Sequence, residues 1–560
     1  MYCAHDRSLD LNRLLDTLLA EQHLPASAVL AALDSAEAHP RSHPLETIAS
    51  LALEDLQAPG QRLDMDWLCR WLAKKVGQPY LHLDPLQLDL SRTSALISPA
   101  FAERHAILPI RVSANAITIA SAQPYQHDWE ADLGSSLGLS IDRVLASPVL
   151  IRKLSQASLQ LAERVAGASQ QHGSSIEHLR QLLEPSRRQQ ESSAEDAHII
   201  GLVDWILQYA VEQRASDIHL EPQREQGQLR YRIDGLLHPV YHFPGNVMLA
   251  LSSRLKHLAR MNVAERRRAQ DGRLQQRLAD GRELELRASS LPTPFGEKLV
   301  LRLFDAQQLQ QGFAPLGLQG ALLERWLSLL QRRQGIILVT GPTGSGKTQT
   351  LYASLDHLAC PQINLCTIED PIERLQPSFS QLQVNPALEL DFAGGVRALL
   401  RQDPDVIMIG EIRDQQTAQV AIQAALTGHL VLSTLHTNDA CSAITRLQEL
   451  GVADYLIKAT LAGVMAQRLV RTLCTHCRAP AGADVRTCPT CRNTGYHGRT
   501  GLFELLLMSD GLRQQIDAGA DVQRLRQQAA SEGLRELRQC GEEKVAQGLT
   551  SLQEVMRVCG

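Results

Sequence analysis

The alternation of apolar and polar residues divides the chain into helix-rich and strand-rich stretches. Apolar residues at helical spacing predict short amphipathic helices over 11–33 and a further helix over Met65–Val76. Two apolar runs, 106–112 and 116–120, are separated by a short polar turn and predict a pair of strands. We therefore expect residues 1–165 to form a small module of helices and strands.

The composition changes after this module. Residues 166–197 are rich in Gln, Ser, Glu and Arg and poor in apolar residues, which predicts a flexible linker with one short helix. A helical pattern over 199–214 and alternating patterns over 229–233 and 284–288 follow. These patterns predict a second α/β unit over 198–312.

Length and charge limit the class of protein. A chain of 560 residues is too long for one hydrophobic core, so we expect several domains. The formal net charge of −5 argues against a protein that coats nucleic acid. No apolar run approaches the roughly 18 residues that cross a bilayer, and no apolar signal segment follows Met1. These features predict a cytoplasmic location.

The most informative motif follows a short apolar run over 335–340. A glycine-rich loop between a strand and a helix turns successive backbone N–H groups towards a phosphate chain. Lys347 is then expected to reach the β- and γ-phosphates, and the Thr348 hydroxyl to ligate magnesium. The sequence therefore predicts a nucleoside triphosphate site in the loop that consists of Gly341, Pro342, Thr343, Gly344, Ser345, Gly346, Lys347 and Thr348.

Two later apolar runs end in carboxylates. One run ends at Glu369 and Asp370, and the other, over 405–410, leads into Glu411. Acidic groups at the carboxyl ends of strands lie beside the nucleotide crevice of an open α/β sheet. There they hold magnesium through water or orient the attacking water, and Glu411 is our candidate for the general base. An ordinary surface turn and a helix-capping glutamate are the alternative interpretations.

A third apolar run is bracketed by His429 and His436. A histidine at the end of a strand can donate a hydrogen bond to a γ-phosphate and so distinguish ATP from ADP. The alternative is a histidine that serves only as a satisfied polar group.

Four of the eleven cysteines are clustered as Cys474-x-x-Cys477 and Cys488-x-x-Cys491, with ten residues between the pairs. Each pair can bind one side of a tetrahedral ion, and thiolates favour zinc. Four thiolates leave no open coordination position, so we expect a structural zinc site over 474–491. Two redox-active pairs are the alternative.

Together these motifs resemble those of the ATPases of bacterial type II secretion and type IV pilus assembly. The resemblance covers about 198–560 and rests on several segments besides the phosphate-binding loop. These segments are 214–222, 270–273 and 290–298 in the middle of the chain, an aspartate box over 367–373, a Walker B segment over 400–411, a histidine box over 428–436, and 495–501 after the cysteine cluster.

The resemblance implies an α/β protein in which a RecA-like P-loop ATPase domain over 313–560 follows a PAS-like domain over 198–312. Residues 1–165 would form a small helical and α/β N-terminal adaptor domain. Arg230, Arg232 and Arg273 are the middle-domain candidates for approaching the phosphates. The N-terminal region lacks the Arg-Leu-Gly-type repeats through which some relatives bind cyclic di-GMP, so that ligand is not predicted.

The resemblance also implies a function. We expect a motor that hydrolyses ATP, with Mg²⁺ at the nucleotide and Zn²⁺ at the cysteines, to drive pseudopilus assembly in type II secretion. Its expected assembly is a homo-hexamer, and its expected partners are an inner-membrane platform protein and cytoplasmic adaptor proteins. Membrane contact would be only through these partners, and nucleic acid is not expected as a partner. The alternatives are a pilus extension motor, a retraction motor, a DNA-transport motor and a nucleotide-gated ring that does not hydrolyse ATP.

Overall fold

The structure is a computed structural model, and the chain forms two compact units. The first contains residues 1–303 and 484–493, and the second contains 304–483 and 494–560. The structure describes residues 8–39, 42–58, 60–84, 88, 93, 96–171, 194–278, 281, 283–304, 312–478, 488, 490–492, 494–516 and 521–560.

The first unit begins with a small group of helices. Their leucines and isoleucines are buried against one another, as the amphipathic pattern predicts. The predicted helix over Met65–Val76 is confirmed: it begins at the N-cap Asp64 and ends at Gly77, whose φ of +68° favours glycine. The helices of this part are α1 (Leu11–Ala20), α2 (Ala26–Ala38), α3 (Pro44–Ser50) and α4 (Met65–Val76).

A three-stranded sheet follows. The predicted pair of strands is present and antiparallel, and a third strand joins it in parallel, in the order β1-β2-β3. The elements are α5 (Pro99–Arg104), β1 (Ile107–Val112), β2 (Ala116–Ser121), α6 (Asp128–Leu137) and β3 (Ser140–Leu145).

The helix α7 (Pro148–Gln171) belongs to two hydrophobic cores. Ile151 and Leu154 are buried with the strands of the three-stranded sheet. Further along the same helix, Val165 and Ala168 are buried in the core of the middle sheet.

Both ends of the predicted linker 166–197 are helical. The helix α7 runs past position 165, and the next helix, α8 (Ala194–Glu212), begins before position 198. The remainder of that linker, 172–193, lies outside the described residues.

The middle sheet has the strand order β6-β5-β4-β9-β8-β7. Alternation along β5 buries Leu229, Tyr231 and Ile233 and leaves Arg230 and Arg232 half-buried on the other face. The elements are β4 (Asp217–Pro222), β5 (Gln226–Ile233), β6 (Leu236–Pro244), α9 (Gly245–Leu258), β7 (Gln270–Arg277), β8 (Glu283–Thr293) and β9 (Gly296–Phe304).

The second unit is built on a sheet with the order β12-β11-β13-β14-β10-β15-β16. Every neighbouring pair is parallel except β15–β16. The elements up to β14 are α10 (Gly320–Leu330), β10 (Gly335–Thr340), α11 (Lys347–Leu358), β11 (Leu365–Glu369), β12 (Ser380–Gln383), α12 (Phe392–Leu399), β13 (Val406–Ile409), α13 (Gln415–Leu426) and β14 (Leu430–Leu435).

Helices cover both faces of this sheet, which is why its central strands are apolar throughout. The predicted α/β class with a P-loop sheet is confirmed. The remaining elements are α14 (Ser442–Glu449), α15 (Asp454–Thr460), β15 (Leu461–Leu473), β16 (Tyr496–Leu507), α16 (Asp510–Gln515), α17 (Val522–Ser531), α18 (Leu537–Ala546) and α19 (Leu552–Cys559).

The strand register brings the predicted site residues to one edge of the sheet. Thr340 at the end of β10 lies beside Leu435 at the end of β14, and Ile409 of β13 lies beside Ser433. Segments that follow these three strands therefore meet at a shared edge. Across the described part of the chain, no helix has the length and apolar composition that a membrane span requires.

Candidate functional site

The glycine-rich loop connects β10 to α11, as predicted. Gly344 and Gly346 have φ angles of +79° and +85°, which strain any residue with a side chain. A Cβ atom at Gly341 would lie 2.5 Å from the backbone oxygen of Gln467. The loop conformation thus depends on its glycines, and it ends at the N-terminus of α11, where backbone N–H groups favour anions.

Lys347 is the central cation of this loop. Its Nζ atom donates hydrogen bonds to the backbone oxygens of Gly341, at 2.8 Å, and Pro342, at 3.1 Å. Burial lowers the pKa of Lys347 to about 8, although the nearby Glu411 carboxylate opposes the shift. Lys347 therefore provides a positive charge inside the loop at neutral pH.

The carboxylate that reaches the loop from the segment after β11 is Glu373. Its Oε1 atom accepts a hydrogen bond of 3.4 Å from the Thr348 hydroxyl, and its charge acts on Lys347. The apolar run in the sequence points to Glu369 and Asp370 instead, because these two residues stand at its end. The cluster of carboxylates after β11 predicted an acidic group near the loop, but the sequence did not show which carboxylate contacts it.

Glu369 has a different place from the one predicted. It is buried, and its carboxylate accepts hydrogen bonds from the hydroxyls of Tyr352, at 2.8 Å, and Thr367, at 2.7 Å. Tyr352 lies on α11, so we reassign Glu369 as an internal link between β11 and the helix that follows the loop. Asp370 is exposed at the end of the strand.

Glu411 lies at the same edge of the sheet, after β13. Its side chain forms an ion pair with Arg413 and lies 3.4 Å from Nε2 of His436. Burial lowers the pKa of His436, and the positive charge of Lys347 lowers it further. Lys347, Glu411 and His436 therefore form one electrostatically linked group beside the loop.

His429 lies at the end of β14 that is away from the loop, so the structure does not bring it to the predicted phosphate site of its own chain. Its backbone oxygen accepts a hydrogen bond from Gly335, the first residue of β10, and its ring lies 2.8 Å from the backbone oxygen of Ala424. His429 is separated from the loop by the length of β14, which is about 20 Å at roughly 3.3 Å per residue. His429 instead caps the end of α13.

Arg232 belongs to the middle sheet of the first unit. Its Nε atom lies 3.7 Å from an Asp217 carboxylate oxygen, and its Nη1 atom donates a 3.0 Å hydrogen bond to Gly235. Arg230 pairs with Glu221 in the same sheet. The approach of these arginines to a phosphate stays a prediction.

The four clustered cysteines come together. The sulfur atoms of Cys474, Cys477, Cys488 and Cys491 all lie within 4.8 Å of one another, and only Cys477 is partly exposed. A tetrahedral zinc ion with bonds of about 2.3 Å needs four thiolates converging in this way. The donor set therefore fits the predicted Zn²⁺.

Comparison with known proteins adds the evolutionary context. The family model described as "Type II/IV secretion system protein" matches residues 192–557, and an MshEN domain model matches 76–164. The chain belongs to the type II/IV secretion system protein family. As a member of this family, the chain is a P-loop ATPase that uses ATP and Mg²⁺.

Two relatives match nearly the whole chain. The type IV pilus assembly ATPase TfpB of Acinetobacter baylyi is 48% identical over 543 residues, which cover 92% of each chain. The type II secretion system protein E of Pseudomonas aeruginosa is 39% identical over 540 residues, covering 92% of this chain and 98% of that one. The X-ray structure of the ATPase DotB of Legionella pneumophila superposes on this chain with a TM-score of 0.51 at 21% sequence identity. The superposition covers 67% of this chain and 97% of DotB, so the two proteins share a fold over that region.

Proposed function

We propose that this chain is a motor ATPase that powers the assembly of pilin-like fibres, in type II secretion or in type IV pilus formation. The observation that carries the proposal is the group of Lys347, Glu373, Glu411 and His436 around one phosphate-binding loop. Family membership supports the coupling of this ATPase to secretion or pilus assembly.

The geometry supports in-line attack of water on the γ-phosphate. Glu411 accepts the proton of the water, and Lys347 balances the negative charge that develops on the phosphoryl oxygens. Thr348 and Glu373 would hold Mg²⁺, which would supply positive charge to balance the phosphate oxygens, and the hydrogen bond between these two side chains supports this role. The contact of His436 with Glu411 supports a role for His436 in responding to the loss of the γ-phosphate.

One observation bears on which machine the motor serves. The relative that is 48% identical over 92% of both chains carries the name of a pilus assembly ATPase. The relative named HxcR, a type II secretion system protein, is also 48% identical but covers 65% of this chain. The type II secretion protein E that matches at full length is 39% identical, so the higher full-length identity of the pilus relative supports pilus extension as the second candidate beside the secretion role that the motifs predicted.

The assembly and its partners complete the proposal. We infer a ring of identical subunits, a homo-hexamer, that acts on an inner-membrane platform protein. Residues 1–165 then provide the adaptor surface, and the chain associates with the inner membrane only through those partners. The domain order predicted from the sequence, with adaptor, linker, PAS-like and RecA-like parts, belongs to this proposal.

Purified protein tests the ATPase mechanism through Glu411→Gln. The variant should lose at least about 100-fold in ATP turnover, because no base polarises the water, and should bind ATP with unchanged affinity. Glu543→Gln, which removes an exposed carboxylate paired with Arg535, is the matched control and should keep full turnover. Equal turnover by Glu411→Gln and the unaltered chain would contradict the assignment of the base.

A deletion strain of the source organism separates the two machines. Complementation with the unaltered gene should restore surface pili if the chain is an extension motor, and should restore secreted protein if it is a type II secretion motor. Restoration of neither by an expressed, hydrolysing chain argues against both roles.

A further inference from the structure

The strand β15 borders the phosphate-binding loop on the side away from Glu411 and His436. It pairs with β10 so that Ala466 lies beside Thr340, the last residue before the loop. Gln467 and Arg468 therefore run alongside the start of the loop. No motif drew attention to either residue in the sequence.

Gln467 contacts both ends of the loop. Its backbone oxygen lies 2.5 Å from the position that a Cβ atom at Gly341 would occupy, and its Nε2 atom lies 2.8 Å from the corresponding position at Gly346. Its Oε1 atom accepts a 2.8 Å hydrogen bond from the hydroxyl of Thr350, in the first turn of α11. The side chain is fully buried, so the loop and the helix start are held against a rigid partner.

The amide nitrogen of Gln467 is a further feature of this contact. Among the residues that the structure describes, the buried Nε2 atom has no hydrogen-bond acceptor. Buried donors are nearly always satisfied, so this donor beside Gly346 calls for an explanation.

Arg468 joins the loop to the segment that carries His436. Its guanidinium donates a 2.7 Å hydrogen bond to the backbone oxygen of Asn438, two residues after His436, and its Nη1 atom lies 3.2 Å from the Cβ position of Gly341. The Thr437 hydroxyl, between these residues, lies 2.8 Å from the hydroxyl of Thr340. The loop and the His436 segment are thus attached to each other at two points.

The charge of Arg468 also matters. The residue is 8% exposed, and the ion pairs found among the described residues do not include it. Its guanidinium donates hydrogen bonds to the neutral backbone oxygens of Asn438 and Gln467, while the carboxylates of Glu504 and Asp439 act on its charge without forming an ion pair with it. A buried cation without an ion-paired carboxylate is costly, so its place beside a loop that binds a polyanion is informative.

We propose that Gln467 and Arg468 are positioning residues of the ATPase site. Gln467 fixes the loop against the first turn of α11 and so sets nucleotide affinity. Arg468 fixes the His436 segment against the loop and adds positive potential, and so sets the rate of hydrolysis. This inference rests on the proposed ATPase function, and it adds two residues of β15 to the site.

The role of Gln467 is tested by the affinity for a fluorescent Mg–ADP analogue. Gln467→Met and Thr350→Val each remove one side of the same hydrogen bond and should each raise Kd about tenfold. The double variant should be no worse than either single variant, because both changes remove one interaction. Thr350→Ser keeps the hydroxyl and should restore the affinity to within about twofold.

The role of Arg468 is tested by separating kcat from binding. Arg468→Lys keeps the charge but cannot donate to the backbone oxygens of Asn438 and Gln467 at once, so kcat should fall about tenfold while Kd for Mg–ADP changes less than about threefold. Arg468→Met loses the charge as well, so it should both lower kcat and raise Kd for Mg–ADP. Gln448→Met and Arg513→Lys are matched controls, since each alters a side chain that is hydrogen-bonded elsewhere in the same unit.

Thermal unfolding of each variant without nucleotide accounts for changes in stability. If the variants at 467 and 468 lower the melting temperature while Kd, KM and kcat per folded chain stay within twofold, both residues are merely structural and the proposal is overturned. If the unaltered chain binds ADP but does not hydrolyse ATP, the proposed function fails, and the Kd comparison still decides the role of Gln467.

Discussion

At the scale of single residues, the protonation of Lys347 links nucleotide binding to pH. Burial lowers its pKa to about 8 in the free chain, and a bound polyphosphate stabilises the charged form. Above pH 8 the chain must therefore take up a proton when it binds nucleotide, and affinity must fall as the pH rises. We expect Kd for Mg–ADP to increase about tenfold from pH 7 to pH 9, measured by calorimetry or fluorescence.

A substitution that cannot lose its proton provides the control. The guanidinium of Lys347→Arg stays charged over this range, so whatever affinity the variant retains should be independent of pH. An affinity of the unaltered chain that is flat from pH 7 to pH 9 would show that the ammonium is not the titrating group.

Single residues were also where the sequence was least decisive. His429 and His436 bracket the same strand, and only the direction of β14 in a parallel sheet assigns one of them to the loop. Glu369 and Thr367 lie two residues apart and share a face of β11, and the Glu369 carboxylate accepts hydrogen bonds from the hydroxyls of both Thr367 and Tyr352. The type of residue at the site was predictable, but the side chain that reaches it depends on tertiary packing.

At the scale of elements, α19 is fixed to the sheet by one buried carboxylate. Glu554 accepts hydrogen bonds from Arg471 of β15 and from Arg557, and Arg471 stacks on the ring of Tyr496 with 4.2 Å to its centre. Burial alone would raise the pKa of Glu554, but these hydrogen bonds outweigh it and lower the pKa to about 2. The attachment of α19 therefore depends on a charged Glu554.

We expect Glu554→Gln to lower the free energy of unfolding by about 2 kcal/mol at pH 7, measured by urea denaturation. Because the folded pKa lies below the unfolded value of 4.5, this stabilisation is fully present above pH 4.5 and is lost as the pH falls towards 2. The difference in the free energy of unfolding between the Glu554→Gln variant and the unaltered chain should therefore shrink by about half between pH 5 and pH 3. Glu542→Gln, at an exposed pair with Arg538, should show no such difference at any pH.

The cysteine cluster is a second element-scale feature with a direct test. The purified chain should contain about one zinc ion, and Cys488→Ser should lose it, because three thiolates and a hydroxyl bind zinc far more weakly. Metal content by mass spectrometry measures this. Cys540→Ser, at a half-buried thiol outside the cluster, should keep the metal. Full zinc content in Cys488→Ser would contradict the four-sulfur site.

Elements were predicted well where their apolar pattern was strong. The helix Met65–Val76 and the strands before and after the phosphate-binding loop lie where the pattern placed them. The continuation of the helix past 165 was not predicted, because the polar composition of the following segment hid Ala168, which is fully buried in the core of the middle sheet. The amino-acid composition of a segment indicates only its average solvent exposure, so it cannot show that one face of a mostly polar helix is buried.

At the scale of the whole molecule, the helix α7 determines where the chain can be shortened. Its residues Leu161, Val165 and Ala168 cover apolar side chains of α8, and Arg164 donates a 2.7 Å hydrogen bond to Gly201. A chain that begins at 172 lacks this cover. A chain that begins at 156 retains it.

We expect the 172–560 chain to be less stable than the 156–560 chain by about 3 kcal/mol, the value of the apolar side chains that it exposes. It should also bind the dye ANS more strongly, since the uncovered face of α8 is apolar. Chemical denaturation and dye fluorescence measure the two effects. Equal stability of the two chains would show that α7 contributes nothing to the middle core.

A helix shared between two cores also constrains how adaptor regions can be exchanged among relatives. A chimera joined at 165 would combine the first turns of one parent's helix with the last turns of another's, and each core would receive ill-fitting side chains. A junction after 171 transfers the helix intact and leaves only its contacts with α8 and α9 to be matched. Gene fusions that altered the adaptor while preserving the motor should therefore have their crossover points beyond this helix.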